Sequence, residues 1–117
     1  MNNKDTGFFG ENKAVEFLVA HQYEILFRNW RYKHLEIDII AQKEGLLHIV
    51  EVKTRSSVAF GYPEKSIHYI KMQYLKNAAA MFQYQYPLWK YIQFDVIAIV
   101  LSDHTNWELS FFEDVYF

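Results

Sequence analysis

The sequence predicts an α/β fold with a mixed β-sheet flanked by helices. Three observations predict it. The segments follow the order helix, three strands, helix and two strands; the first three strands form a meander; and residues 91–101 are apolar enough to indicate a strand buried on both faces. The chain of 117 residues is long enough to bury a core without disulfides. We therefore expect residues 1–117 to form a single domain.

Composition narrows the class of protein. The chain has no cysteine, which excludes disulfides and thiolate zinc sites, and its five histidines show no metal-binding pair at helical spacing. It begins without an apolar signal core and has no apolar run of the roughly 18 residues that span a membrane. We expect a cytoplasmic protein with no membrane partner.

The first helix is predicted over residues 6–21, with Thr6 as a candidate N-cap. Apolar residues recur there at helical spacing, at Ala14, Val15, Leu18 and Val19. One turn back along this stripe, Glu11 falls on the inward face. An acid that faces inward needs a partner. A glutamate in the first turn of a helix, however, is stabilised by the helix dipole without any such partner. Both interpretations of Glu11 remain open on this pattern.

The first strand is predicted over residues 23–30, where apolar and polar side chains alternate. Basic side chains cluster where this strand leads into the next, at Arg28, Arg31, Lys33 and His34. Further basic residues lie between positions 53 and 76, whereas residues 102–117 carry acids and no lysine or arginine. Because the protein has a net charge of −2, a nucleic-acid partner would have to bind one basic face of it.

Residues 35–54 predict a β-hairpin that turns at Glu44 and Gly45. That turn places Asp38 opposite Glu51. Opposed side chains on antiparallel strands have Cβ atoms about 5 Å apart, and like charges there destabilise the pair unless a positive group lies between them. These two acids are therefore the first candidates for a functional site.

The same register places Glu36 opposite Lys53, further out on the hairpin, and Ile40 opposite Ile49, further in. The intervening positions form an apolar face made of Ile37, Ile39, Val50 and Val52. A purely structural alternative exists, in which the hairpin end is held by two ion pairs, Glu36 with Lys53 and Glu51 with an arginine.

Residues 55–62 are predicted to be a loop, and Pro63 fits the first turn of a second helix that runs to about residue 85. Lys71 is the single charge on its inward stripe, which also holds Ile67, Leu75, Ala78 and Phe82. A lysine can extend its ammonium group to solvent from such a position. On this pattern alone, Lys71 is at least as consistent with a solvent-exposed lysine as with a residue of a functional site.

The last two strands are predicted over residues 91–101 and 107–117, with a turn between them. Asp95 is the single charge in the first of these strands, and we expect it at a strand end with no catalytic role.

The acids of the hairpin suit divalent metal chemistry. The sequence has no glycine-rich phosphate loop and no nucleophile elbow, which leaves P-loop hydrolysis and acyl-enzyme chemistry unsupported. Hard carboxylate oxygens are the ligands that Mg²⁺ or Mn²⁺ prefers, so an ion between Asp38 and Glu51 would turn their repulsion into coordination, with the Val52 carbonyl as a further ligand. Lys53 emerges on the same face, about 7 Å along the strand from Glu51, where it could orient or deprotonate the attacking water. This combination predicts phosphodiester hydrolysis.

The spacing of Asp38 and Glu51-Val52-Lys53 resembles the PD-(D/E)XK nuclease signature. Further motifs make the resemblance more specific: Gly10-Glu11 with Ala14, Arg28-Asn29-Trp30-Arg31, the run from Glu36 to Ile40, the run from Glu51 to Arg55, Gly61 with Pro63, Lys71, and Phe94-Asp95-Val96. Together they are similar to the YraN-like family of small bacterial endonuclease-like proteins, over nearly the full chain. That family is similar in fold to archaeal Holliday junction resolvases.

The resemblance implies a restriction-endonuclease-like αβββαβ core with an extra C-terminal strand. It implies Asp38 and Glu51 as metal ligands and Lys53 as the catalytic lysine. It further implies Glu11 as an additional acid at the metal and Lys71 as a basic residue that faces the phosphate. The chain departs from the family pattern in two ways. Leu35 replaces the usual glycine, and the C-terminal strand is acidic.

We therefore expect a Mg- or Mn-dependent nuclease acting on DNA, including branched or damaged DNA, with Glu36 supporting Lys53. The residues expected to contact phosphates are Arg28, Arg31, Lys33, Arg55, Lys65 and Lys71. A junction substrate would require a homodimer. Two alternatives stay open: a nucleic-acid-binding module without turnover, and a protein-interaction domain that uses the strand at 107–117.

Overall fold

The computed structural model describes residues 3–56, 69–103 and 105–115. Its elements are α1 (Asn3–Ala20), β1 (Glu24–Tyr32), β2 (Leu35–Lys43), β3 (Leu46–Arg55), α2 (Tyr69–Gln85), β4 (Ile92–Leu101) and β5 (Trp107–Phe112). This order confirms the predicted α/β class. No helix in these ranges is long and apolar enough to cross a membrane.

The five strands form one sheet in the order β1-β2-β3-β4-β5. Neighbouring strands are antiparallel except β3 and β4, which are parallel. A parallel pair needs a crossover, and α2 lies in the segment that joins these two strands. The mixed sheet and its initial meander are therefore as predicted.

The two helices cover separate apolar clusters of the sheet. Side chains of α2, including Leu75, Ala78 and Phe82, pack with Ile40 and Ile49. Side chains of α1 pack in a second cluster, which contains Ala14, Leu18, Ile39, Val50, Ile97 and Ile99. The buried run at positions 95–99 in β4 confirms the prediction of a strand buried on both faces.

Helix starts differ from the sequence-based prediction. α1 begins at Asn3, so Thr6 lies inside the helix and the prediction that it is the N-cap is wrong. α2 is described from Tyr69, and it ends at Gln85 as predicted, two residues before Pro87. The predicted start at Pro63 and most of the predicted loop at 55–62 lie outside the described residues.

The hairpin turns at the predicted place. Glu44 and Gly45 both adopt the left-handed backbone, with φ of 53° and 82°, as a type I′ hairpin turn requires. The register is also the predicted one, with Ile40 paired with Ile49. The pairing of β2 with β3 begins at Lys43 and Leu46 and ends at Ile39 and Val50, although both strands continue beyond those residues.

Beyond that point each strand keeps its outer neighbour. β2 stays paired with β1 as far as Leu35, and β3 stays paired with β4 as far as Arg55. Ile37 packs in the α2 cluster and Ile39 in the α1 cluster, so the prediction that they share one face is wrong. The regular alternation of β2 is broken at Asp38, where the two strands separate.

Asp95 corrects another expectation. It lies within β4, only 1% exposed, and is not a strand-end residue. Its carboxylate oxygens lie 2.6 Å from His48 Nδ1 and 2.8 Å from Gln93 Nε2, and accept a hydrogen bond of 2.9 Å from the backbone N–H of Asp114. The buried carboxylate thus fixes the segment after β5, which ends at Phe112 although the strand was predicted to run to residue 117.

Candidate functional site

An open cleft of about 860 Å³ lies where β2 and β3 separate. Its charged lining residues come from α1, β2, β3 and α2, and include Lys4, Glu11, Glu36, Asp38, Glu51, Lys53, Arg55 and Lys71. All four residues predicted to be catalytic therefore line one cleft, together with Val52. The separation of the two strands makes room for these side chains, because no ladder closes that end of the hairpin.

Asp38 takes the place of a backbone partner at the point of separation. Its Oδ2 accepts a hydrogen bond of 2.9 Å from the backbone N–H of Val52. Burial, followed by the negative charge of Glu51, raises the pKa of Asp38 to about 7, although the Val52 N–H acts in the opposite direction. The carboxyl group is therefore held where its negative charge is unfavourable unless a cation compensates it.

Glu51 is buried at the centre of the charged residues. Its Oε1 lies 2.8 Å from Lys71 Nζ and 3.9 Å from Lys53 Nζ. Burial would lower the pKa of Lys71, but the hydrogen bond and charge of Glu51 outweigh it, so this pKa is raised. Burial and the neighbouring Lys71 lower the pKa of Lys53. One carboxylate oxygen thus faces two ammonium groups from two different elements.

Glu11 reaches the cleft because α1 approaches β3 unusually closely. A Cβ atom at Gly10 would overlap the side-chain hydroxyl of Thr54, so only glycine permits this approach. Burial raises the pKa of Glu11, the positive charge of Arg28 opposes that shift, and the negative charge of Glu36 adds to it. The inward position predicted for Glu11 is therefore explained by a site that contains other acids.

Asn29 connects two of the acids, and the sequence analysis gave it no role in the site. With its amide group oriented to satisfy both carboxylates, Nδ2 donates to Glu11 Oε1 at 3.0 Å and to Glu36 Oε1 at 3.2 Å. Its φ of 53° lies in the left-handed region, which asparagine tolerates better than most residues. An asparagine in the middle of a strand-like pattern was the signal that could have identified it.

Glu36 has a different partner from the one predicted. Its Oε2 lies 3.1 Å from Arg31 Nη2, its neighbour across the β1–β2 ladder. Lys53 has its carboxylate contact with Glu51. The predicted pairing of Glu36 with Lys53 is wrong because β2 and β3 are no longer paired at that level, so the hairpin register does not extend to it.

The residues predicted to bind phosphates divide into two groups. Arg55 and Lys71 line the cleft, as does Lys4, which the sequence analysis missed because it placed the helix start at residue 6. Because Lys4 precedes the predicted helix, the sequence pattern did not indicate that it faces the cleft. Lys65 lies outside the described residues.

The other three basic residues are not among the described residues that line the cleft. Arg28 Nη2 donates to Asn12 Oδ1 at 2.8 Å, which ties β1 to α1. Arg31 pairs with Glu36, and Lys33 Nζ lies 5.5 Å from the ring centre of its neighbour Tyr32. The predicted contact of these three side chains with phosphates therefore stays a prediction for a surface outside the cleft.

The donor set fits a hard divalent cation. The negative charge of Glu51 raises the pKa of both Glu11 and Asp38, and the charge of Glu11 raises that of Asp38 further. A cation between these acids would remove that repulsion. Within the part of the chain that the structure describes, no group of three or more acidic or histidine side chains is arranged closely enough to hold a metal ion. Carboxylate oxygens are the type of ligand that Mg²⁺ or Mn²⁺ prefers, but binding would require these carboxylates to move closer together.

Comparison with known proteins identifies the family. Residues 10–99 match the family described as "Uncharacterised protein family UPF0102". A UPF0102 protein of Flavobacterium psychrophilum is 44% identical over 115 residues, which cover 98% of this chain and 96% of the relative. A UPF0102 protein of Caldicellulosiruptor bescii is 44% identical over 108 residues, which cover 91% of each chain.

A third similar relative comes from Natranaerobius thermophilus. This UPF0102 protein is 40% identical over 119 residues, which cover 99% of this chain and 100% of the relative. The relatives thus match in length as well as in sequence. These matches confirm the family resemblance, and the chain belongs to the UPF0102 (YraN-like) family.

Proposed function

We propose that this protein is a Mg²⁺- or Mn²⁺-dependent nuclease that hydrolyses DNA phosphodiester bonds in the cleft. The observation that carries the proposal is the convergence of Glu11, Asp38 and Glu51 with two lysines at one opening of the sheet. Four different elements supply these residues, and structural ion pairs alone do not require three acids to be brought together.

The reaction would be the addition of water to phosphorus. The water oxygen forms a bond to phosphorus, one P–O ester bond breaks, one water proton passes to a base, and the leaving alkoxide takes up a proton. A bound divalent ion supplies charge neutralisation and increases the acidity of the water. In this reaction Lys53 would orient the water and stabilise charge on the phosphate, and Lys71 would bind a phosphate oxygen.

A cleavage assay tests this proposal. Purified protein is incubated with linear, nicked and four-way-junction DNA in Mn²⁺, with EDTA as the metal-free control. We expect cleavage that Glu51→Ala reduces at least about 100-fold, because that change removes the central carboxylate. Glu108→Gln, an exposed acid on β5, is the matched control and should cleave normally. Undiminished cleavage by Glu51→Ala would contradict the assignment.

A second candidate function is DNA binding without turnover. The contact between Lys71 Nζ and Glu51 Oε1 favours it, because an ammonium group already neutralises the carboxylate that a metal would need. Calorimetric titration with Mn²⁺ separates the two candidates. Binding by the wild type that is lost in Asp38→Asn supports the nuclease, whereas salt-dependent DNA binding with no Mn²⁺ binding supports the second candidate.

A further inference from the structure

A second groove adjoins the cleft. Its volume is about 580 Å³, within the range of about 300–1,000 Å³ typical of ligand pockets. It shares four charged residues with the cleft, namely Glu36, Asp38, Glu51 and Lys71. Its remaining described lining residues are His34, Leu35, Tyr74 and Leu75. An aromatic and apolar wall therefore lies directly beside the proposed catalytic groups.

Two rings from different elements meet at this wall. Tyr74 lies on α2 and is 51% exposed, and its ring centre is 6.0 Å from that of His34, at an interplanar angle of 88°. His34 lies in the turn between β1 and β2. The edge-to-face contact holds the two rings together at the surface. A flat, partly apolar ligand could therefore stack at this wall without a large rearrangement of the protein.

The position of the wall suggests which ligand it takes. A phosphate bound at Lys53 and Lys71 would place the adjoining nucleoside in or near the groove, because the groove and the cleft share residues. In duplex DNA the bases are stacked within the helix and present only their edges to a protein. An unstacked base instead presents a flat face, which proteins bind by stacking it on aromatic side chains.

We propose that the groove at Tyr74 and His34 binds an unstacked nucleobase next to the phosphodiester held in the cleft. The proposal rests on the proposed nuclease function and names its substrate class: DNA with unpaired nucleotides beside the bond to be cut, such as a single-stranded flap. Leu35 and Leu75 supply the apolar floor on which such a base would rest. Fully paired duplex would fit the groove only after a base leaves the stack.

The test measures stacking separately from cleavage. A DNA flap carries 2-aminopurine, a base whose fluorescence falls when it stacks, and binding is followed in EDTA so that no cleavage occurs. A blunt duplex of the same sequence is the paired control. We expect Tyr74→Ala to weaken flap binding about 5- to 100-fold, the range found for single stacked bases, and to abolish the fluorescence change on binding. Tyr74→Phe, which keeps the ring, should bind like the wild type.

Tyr84 provides the matched control variant. It lies on the same helix, is 82% exposed and is not among the described residues that line either groove. Tyr84→Ala should therefore leave flap binding unchanged. Thermal melting of each variant confirms that the exposed positions tolerate the change.

The outcomes separate this proposal from the nuclease assignment. Equal loss of flap and duplex binding in Tyr74→Ala would overturn the base-binding groove and leave the nuclease function standing. Normal flap binding and quenching in Tyr74→Ala would overturn it as well. Mn²⁺-dependent cleavage with a preference for the flap that disappears in Tyr74→Ala supports both. Absence of cleavage and of DNA binding with every substrate would overturn the proposed function, and the groove proposal with it.

Discussion

Buried ionisable groups lie near both ends of the β2–β3 hairpin, but their surroundings differ. At one end, Asp95 faces His48, and its carboxylate also has hydrogen bonds to Gln93 and the backbone of Asp114. At the other end, Asp38 is buried near Glu51, a like charge that raises its pKa. The first cluster is satisfied by the protein itself, whereas at Asp38 the Val52 N–H and the positive charge of Lys71 do not outweigh burial and the charge of Glu51. Buried charge that the fold satisfies serves stability, and buried charge that it does not satisfy indicates a ligand.

The largest expected effect is at the satisfied end. Asp95→Ala removes the acceptor of three hydrogen bonds and leaves His48 buried without its partner, so we expect the free energy of unfolding to fall by about 3–5 kcal/mol. Urea denaturation followed by circular dichroism measures it. Glu108→Ala, at an exposed position on β5, should change stability by less than about 0.5 kcal/mol. A loss for Asp95→Ala as small as that of the control would show that the two ends do not differ in this way.

The second effect has the opposite sign and lies at the other end. The pKa of Asp38 is raised from 3.8 to about 7, so the folded protein binds this proton more tightly than the unfolded chain does. Its contribution to stability is present below pH 3.8 and is lost as the pH rises through 7. Asp38→Asn removes that loss and should raise the free energy of unfolding at pH 8 by up to about 4 kcal/mol.

Denaturation at a series of pH values checks this prediction. The gain of Asp38→Asn over the wild type should shrink between pH 7 and pH 4 and vanish below that range. Asp103 is a useful contrast, because hydrogen bonds from Thr105 and Asn106 lower the pKa of its carboxyl group. Asp103→Asn should therefore not stabilise the protein at pH 8. A destabilised Asp38→Asn variant at pH 8 would mean that Asp38 belongs with the structural carboxylates.

The third effect concerns the approach of α1 to the site. Gly10→Ala places a methyl group against Thr54, whose Cβ is itself only 3.0 Å from the new atom, so rotating the threonine does not relieve the contact. We expect a loss of about 1–3 kcal/mol in the free energy of unfolding and weaker Mn²⁺ binding, because Glu11 moves with the helix. Urea denaturation and calorimetry measure the two effects.

Gly7 is the matched control for this change. A Cβ at Gly7 meets no atom within 4 Å, and the residue lies in the same helix. Gly7→Ala should stabilise the protein by up to about 1 kcal/mol, since alanine favours helix over glycine. Equal effects of the two substitutions would remove the evidence that a close contact positions Glu11.

The sequence predicted what depends on local patterns. Glu44 and Gly45 are a turn signal by their chemistry, and the apolar residues on either side then determine the pairing of Ile40 with Ile49. Helical spacing placed Glu11 and Lys71 on the inward-facing stripes of their helices, although this spacing alone identified no partner for either residue. These features were predictable because each depends on neighbours in sequence.

The features that were missed depend on contacts between distant segments. The hairpin ladder stops at Ile39 and Val50, where β2 and β3 follow their outer neighbours, and no residue of the hairpin signals that choice. The partner of Asp95 is His48, which lies 47 positions earlier in the chain. The prediction that Asp95 is a strand-end residue was wrong because a partner so distant in the chain leaves no local signal.

The smallest expected effect is at the rim of the cleft. Arg31 pairs with Glu36, but its side chain is 71% exposed, so water and salt screen the contact. Arg31→Ala should lower the free energy of unfolding by less than about 1 kcal/mol, and the loss should shrink further in 0.5 M salt. Its effect on DNA binding is independent of this: loss of a phosphate contact would reduce the salt dependence of affinity by about one unit of slope. A loss above about 2 kcal/mol that persists in high salt would instead place Arg31 with His48 and Asp95, among the groups that the fold needs.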